Sequence, residues 1–163
     1  VELRETWVVL VEEPVSLKKM MLDKKFKPFP VDEDDELYPN GLFVFNISKL
    51  MLFVKANKSS FPVEDVELQS LQIFRSSNFD EATIEAAYLS APILLAEISP
   101  GMFNVIDGNH RLEKACRAGI DQIPAYRIFA NQHLAFLTTV KAYKAYIKYW
   151  NSKVDKRSGV KVL

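Results

Sequence analysis

The hydrophobic pattern changes period abruptly at Asp107-Gly108-Asn109-His110-Arg111, and this change restricts the chain more than any other feature. Before it, Met102-Phe103-Asn104-Val105-Ile106 is β-rich and follows the turn pair Pro100-Gly101. After it, Leu112, Ala115 and Cys116 recur at i, i+3 and i+4, and Gly119 supplies a stop. The spacing predicts a strand that passes directly into an amphipathic helix. The first turn of such a helix has N–H groups without intrahelical partners and a partial positive charge, which together favour an anion. Gly108 would let the backbone come close to a ligand, and His110 and Arg111 would add side-chain donors.

The same patterns give the surrounding elements. Trp7-Val8-Val9-Leu10-Val11 reads as a strand, and the stretch from Ser16 to Leu22, after Pro14, as a short helix. Residues 25–41 hold three prolines and the acidic run Asp32-Glu33-Asp34-Asp35-Glu36, which predicts a solvated surface loop. Residues 42–47 read as a strand, with Ser48 expected to cap a short helix through residues 50–54. Residues 62–74 match neither period. Asp80 is expected to cap a helix over residues 81–89 with Ile84, Ala87 and Tyr88 on one face, ended by Pro92. Residues 93–98 and 102–106 read as a hairpin around Ser99-Pro100-Gly101, and residues 125–129 as a further strand. Asn131 is expected to cap a long final helix with Leu137, Val140, Tyr143, Ile147 and Trp150 in its apolar stripe and a frayed tail from Ser152. This order predicts an α+β fold, a small mixed sheet flanked by helices.

A length of 163 residues, 48% of them hydrophobic and 26% charged, fits a single globular domain with a real core. Twenty-one basic residues balance twenty-one acidic ones, so no overall field selects nucleic acid or membrane. The longest apolar runs fall far short of the roughly 20 residues that span a bilayer, and no membrane partner is expected. One cysteine cannot form an intramolecular disulfide, and no signal or transit peptide is visible, which points to the cytoplasm. The first residue is Val1 rather than Met, which is compatible with a neighbouring domain. Cys116 shares a face with Leu112 and is expected in the core. The two histidines lack metal-ligand spacing, so zinc is not expected.

The run Pro92-Ile93-Leu94-Leu95, then Val105-Ile106-Asp107-Gly108-Asn109-His110-Arg111-Leu112, then Ala115, Gly119 and Ile123-Pro124-Ala125, resembles the ParB/sulfiredoxin superfamily. Phe79-Asp80-Glu81-Ala82-Thr83-Ile84 is similar to the helix that precedes this core in the family. The resemblance implies one ParB/sulfiredoxin-like domain over residues 1–163, with a core at about 42–130, an N-terminal extension 1–41 and a C-terminal helix at about 131–152. It further implies a nucleotide-binding fold whose box grips phosphates, as in CTP-hydrolysing partitioning proteins, ATP-dependent sulfiredoxins, free-serine kinases and ParB-like nucleases. Asn109 stands where sulfiredoxins carry their catalytic cysteine, which argues against sulfur chemistry. Partitioning proteins have an arginine pair in the box and a following helix-turn-helix; here His110-Arg111 stands instead, and no break is expected between Asn131 and Asn151. The serine-kinase branch has an upstream catalytic glutamate, and Glu64 or Glu67 lies in that stretch with neither assigned.

If a nucleotide binds, Gly108, Asn109 and the following amides would receive one phosphate, Arg111 would compensate its charge, and His110 would donate to a second phosphate oxygen. Asp107 would hold a magnesium ion or position a substrate hydroxyl, giving Asp107 and His110 the catalytic roles of a phosphotransferase or NTP hydrolase. An alternative is a nucleic-acid-associated regulatory or nuclease-type module using Lys141, Lys144 and Lys148, which lie among Tyr143, Tyr146, Tyr149 and Trp150. A further alternative is an inactive interaction domain, its C-terminal helix docking a partner protein or a second copy.

Overall fold

The computed structural model describes residues 17–71 and 79–159. In chain order, a hairpin of β1 (Leu37–Asn40) and β2 (Phe43–Asn46) leads into α1 (Ile47–Ala56), then β3 (Glu64–Glu67) and a 3₁₀ turn. The helix α2 (Glu81–Ala86), the hairpin β4 (Ile93–Ser99) and β5 (Met102–Asp107), α3 (Asn109–Arg117) and β6 (Gln122–Ile128) follow. A one-turn helix α4 (Ala130–His133), a second 3₁₀ turn and α5 (Val140–Arg157) complete the order. The architecture is α+β, with a four-stranded mixed sheet in the order β3-β6-β4-β5 and the separate β1-β2 ribbon. β4 is antiparallel to β5 and parallel to β6, the antiparallel partner of β3.

β4 organises the interior. All seven of its residues are buried, and because successive strand side chains point to opposite faces it feeds two cores. Leu94, Ala96 and Ile98 join β2, α1 and α5 in the larger core, whereas Ile93 and Leu95 join Leu112 and Ala115 of α3 in the smaller one. Cys116 packs against the smaller core as its spacing suggested. α3 ends in a Schellman arrangement: the Ile120 N–H donates to Ala115 O (3.0 Å) and the Gly119 N–H to Cys116 O (3.2 Å). Gly119 adopts the left-handed conformation this requires (φ +67°).

Several local expectations are corrected. Residues 17–22 are not helical but belong to an extended strap along α5. Asn151 Oδ1 accepts from the Met20 N–H (2.7 Å) and its Nδ2 donates to Met20 O (3.0 Å), which replaces the intrahelical bonds this segment would otherwise make. The cap of α1 is Asn46, whose side chain accepts from the Lys49 N–H, while Ser48 Oγ accepts from the Glu36 N–H (2.8 Å). The acidic run remains a surface turn but is tied down, with Asp35 bonded to Asn46 (2.7 Å) and Asp32 paired with Lys49, and the loop expected through residue 41 gives way to β1, whose backbone pairs with β2. Asp35 is held below the usual carboxylate range chiefly by that Asn46 bond.

Asp80 caps α2 as expected, but the helix stops at Ala86 because Lys114 takes the carbonyls of Glu85 and Ala87, leaving Tyr88 exposed. The undecided stretch contains β3. The long final helix does not run from Asn131. Leu137 is fully buried and bridged to Phe45, which forces extended backbone, and the helix restarts at Val140 under a Thr139 cap. The expected absence of a break between Asn131 and Asn151 is therefore wrong, Val140 is exposed, and the helix continues through Ser152 to Arg157. Trp7 to Val11, Ser16 and residues 72–74 lie outside the described residues.

Candidate functional site

β5 delivers the box to the sheet's rim. An extra residue at Ile106 shifts the register with β4, so that Leu95 pairs with Val105 and Leu94 with Asp107. Gly108 then turns the chain at φ +103° and begins α3. Its lack of a side chain serves the fold directly: a Cβ there would lie 2.4 Å from Ile93 Cγ2 and 2.9 Å from Ile93 Cβ. α3 has no side-chain cap and no acidic residue in its first turn, whereas α1, α2 and α5 are capped by Asn46, Asp80 and Thr139. The amides of Asn109, His110 and Arg111 occupy the positions where a helix has no intrahelical acceptor.

Arg111 is engaged within the chain. Its Nη1 donates to Pro92 O (2.6 Å) and Ala91 O (3.1 Å), and its Nη2 to Asp107 Oδ2 (2.9 Å). Arg111 is the first rung of a ladder on α3 at i, i+3 and i+6: Lys114 bonds the end of α2, and Arg117 bridges Glu81 and Glu113. The ladder fixes residues 81–92 over the smaller core. Asp107 suits a magnesium ion poorly, because a guanidinium already neutralises its carboxylate. Among the described residues no group of three or more His, Cys, Asp or Glu side chains is gathered for a metal.

Two neighbours of the box were not singled out in the sequence. Tyr38 of β1 accepts from Asn109 Nδ2 (3.4 Å), and Phe79 meets the His110 ring edge-on with centroids 5.6 Å apart. Phe79 belongs to the stretch that resembles the family; Tyr38 has no local signature, because only the packing of β1 beside β5 brings it near. Asp80, also beside His110, is held below the usual carboxylate range by the Thr83 hydroxyl above all, with His110 contributing.

Other candidate residues lie elsewhere. Glu64 and Glu67 stand on β3, at the opposite edge of the sheet from β5, with Glu64 paired to Arg127 and Glu67 accepting from Gln69. Lys141, Lys144 and Lys148 are exposed on α5, but Tyr143, Tyr146 and Trp150 are buried in the larger core. Tyr149 remains at the surface with Lys153 over its ring.

A buried polar hub underlies the sheet around Glu97, the lone acid in the apolar run of β4. Its carboxylate accepts from the Gly101 and Ala130 N–H groups (both 3.0 Å), joining the hairpin turn to the start of α4. Its carbonyl accepts from Tyr146 Oη and from His133 Nε2 (both 2.7 Å). The latter bond makes His133 the Nε2–H tautomer, while its Nδ1 is buried without a hydrogen-bond partner. Burial lowers the His133 pKa to about 4 and pushes the Tyr146 hydroxyl up. This hub is structural: apart from His133 Nδ1, its polar atoms are tied to one another and to backbone.

No protein-family model matches the chain, and no curated protein shows significant sequence similarity to it.

Proposed function

We propose that the protein is a ParB/sulfiredoxin-like domain that binds a nucleotide or another phosphate-bearing ligand at the start of α3, with phosphotransferase or NTP-hydrolase chemistry. One observation carries this reading. Of the four helices longer than one turn among the described residues, only α3 begins without a side-chain cap, and it begins in the sequence that resembles a phosphate-gripping box. A phosphate there would accept from the first-turn amides and gain from the helix dipole, a contribution of about 0.3–2 kcal/mol.

In this reading His110 donates to a second phosphate oxygen. Arg111, held by the Ala91 and Pro92 carbonyls and ion-paired with Asp107, is pre-set beside the phosphate and lends it the charge that Asp107 leaves uncompensated. Asp107 orients the acceptor hydroxyl or water, and any magnesium that accompanies the ligand is held by phosphate oxygens and water. A cytoplasmic setting and a single domain belong to the same proposal.

Isothermal titration with ATP, ADP, CTP and inorganic phosphate, with and without magnesium, tests it. Binding of at least one, weakened by roughly tenfold or more in His110→Ala through loss of a hydrogen bond to a charged group, is the expected result. Absence of heat with all four overturns the reading. Phosphate release then separates a catalyst from a binding-only domain.

A further inference from the structure

The chain carries no net charge, yet its charge is strongly segregated. Residues 17–27 and α5 together hold eleven basic side chains against two acidic ones, leaving ten basic against nineteen acidic in the remainder. The fold brings these two sequence-distant segments side by side. The strap runs antiparallel to α5: Lys18 O accepts from Trp150 Nε1 (3.1 Å), Met20 is clamped by Asn151, the Asp23 N–H donates to Tyr143 Oη (2.8 Å), and Phe26 stacks on Tyr143 at 3.8 Å.

On α5, Lys141, Lys144 and Lys148 fall on one stripe that Asn151 continues at the same helical spacing, so this lysine row borders the strap. Lys18, Lys24, Lys25 and Lys27 are exposed along the strap itself. Within the two segments Asp155 offsets Lys19 at 2.8 Å and Asp23 is the one other acid, which leaves nine basic side chains in excess. The acidic turn beyond the strap is engaged in part by Lys49.

We infer that the strap and α5 form one composite surface that binds a nucleic-acid strand through its phosphodiester backbone. Successive lysines on the α5 row stand three or four residues apart, about 4.5–6 Å along the helix axis, so the row presents regularly spaced cations to a linear polyanion. The cations are almost all lysines, which act as point charges on phosphates rather than forked readers of bases. Nucleic acid is favoured over a lipid surface by the regular spacing of the α5 row and because the apolar face of α5 is sunk in the larger core; insertion would fall to Leu17, Met21 and Leu22, exposed on the strap, and the vesicle arm of the test below reads it out. The surface is separate from the box at the start of α3.

Fluorescence anisotropy of the full chain with labelled single-stranded DNA, RNA and duplex DNA, across a salt series, tests this. K141E/K144E/K148E and K24E/K25E/K27E should each weaken binding at least tenfold and lower the salt slope by about 2, since each phosphate contact contributes about 0.7–0.9. K55E/K58E, changing exposed lysines on and just after α1, should leave it unchanged. Where a charge-reversal triple loses its cooperative thermal transition, the corresponding Lys→Gln triple is read instead. No binding at low salt, equal weakening by K55E/K58E, or binding to anionic phosphatidylserine vesicles without binding to any nucleic acid overturns the inference.

Discussion

On one side of the central sheet Leu94, Ala96 and Ile98 sink into a core shared with α1, α5 and the β1-β2 ribbon; on the other, Ile93 and Leu95 meet the short apolar stripe of α3 with Leu68, Leu71 and Leu89 beside it. Among the described residues the larger core gathers twenty buried apolar side chains and the smaller nine. Burial dominates the first face. The second adds a close backbone approach at Gly108 and a ladder of cations bonded to carbonyls and carboxylates. The candidate phosphate site belongs to the second face, where a helix start is uncapped and donors are already aligned. The basic strap surface belongs to the first, on the outer side of the helix that closes its core.

Mutations should expose this asymmetry. The largest effect is expected from Tyr146→Ala, which empties the middle of the larger core and removes a hydrogen bond to Glu97 O. A loss of about 4–5 kcal/mol lowers the melting temperature by roughly 10–20 °C. A shift under about 3 °C by calorimetry would break the ranking of the two faces.

Acid should reach the same core through His133. Its folded pKa is about 4 against an ordinary 6.5, so above about pH 6.5 it is neutral in both folded and unfolded chains. Between about pH 6.5 and 4 the unfolded chain gains a proton that the folded one refuses, and stability falls with pH by up to about 3 kcal/mol. Urea midpoints from pH 7.5 to 4.5 should show this decline, and His133→Phe should flatten it. Asp35 and Asp80, both depressed, act in a lower window: their stabilisation is present above their ordinary value of 3.8 and is lost as pH falls through their folded values.

The smaller face should respond more to backbone geometry. Gly108→Ala combines a positive φ with overlap on Ile93, and a cost of about 2–3 kcal/mol is expected. Ile93→Ala removes the overlapping Cγ2, so the double variant should lose less than the sum of the single variants, a coupling that thermal melts can measure. Full additivity would remove the steric account of this glycine.

The smallest stability effect, about 1 kcal/mol, is expected for Asn151→Ala. That variant frees both backbone groups of Met20 to water, and faster amide exchange confined to residues 18–23 would show the strap loosening while the cores stay intact.

The sequence made the second face more legible than the first. The β5-to-α3 handover, the Gly119 stop and the Asp80 cap all lie within a few residues of the side chains that cause them. Local periodicity and capping chemistry therefore sufficed. The break before α5 was illegible because Leu137 leaves helical backbone to bridge Phe45, ninety-two residues away. The strap was misread as a helix because its hydrogen-bond partners, Asn151 and Trp150, lie some 130 residues downstream. For the same reason Tyr38 could not be assigned to the box from its own neighbours.

By itself, then, the sequence determined the change of period between β5 and α3, the Asp80 cap and the Gly119 stop, and that a box rich in donors opens a helix, because each depends on contacts a few residues apart. Only the tertiary structure decided that Gly108 accommodates Ile93, that Arg111 is held by Asp107 and the Ala91 and Pro92 carbonyls, and that the lysines of two distant segments share one surface. Those outcomes depend on which buried backbone and charged groups find partners across the fold, a condition that no local window of residues contains.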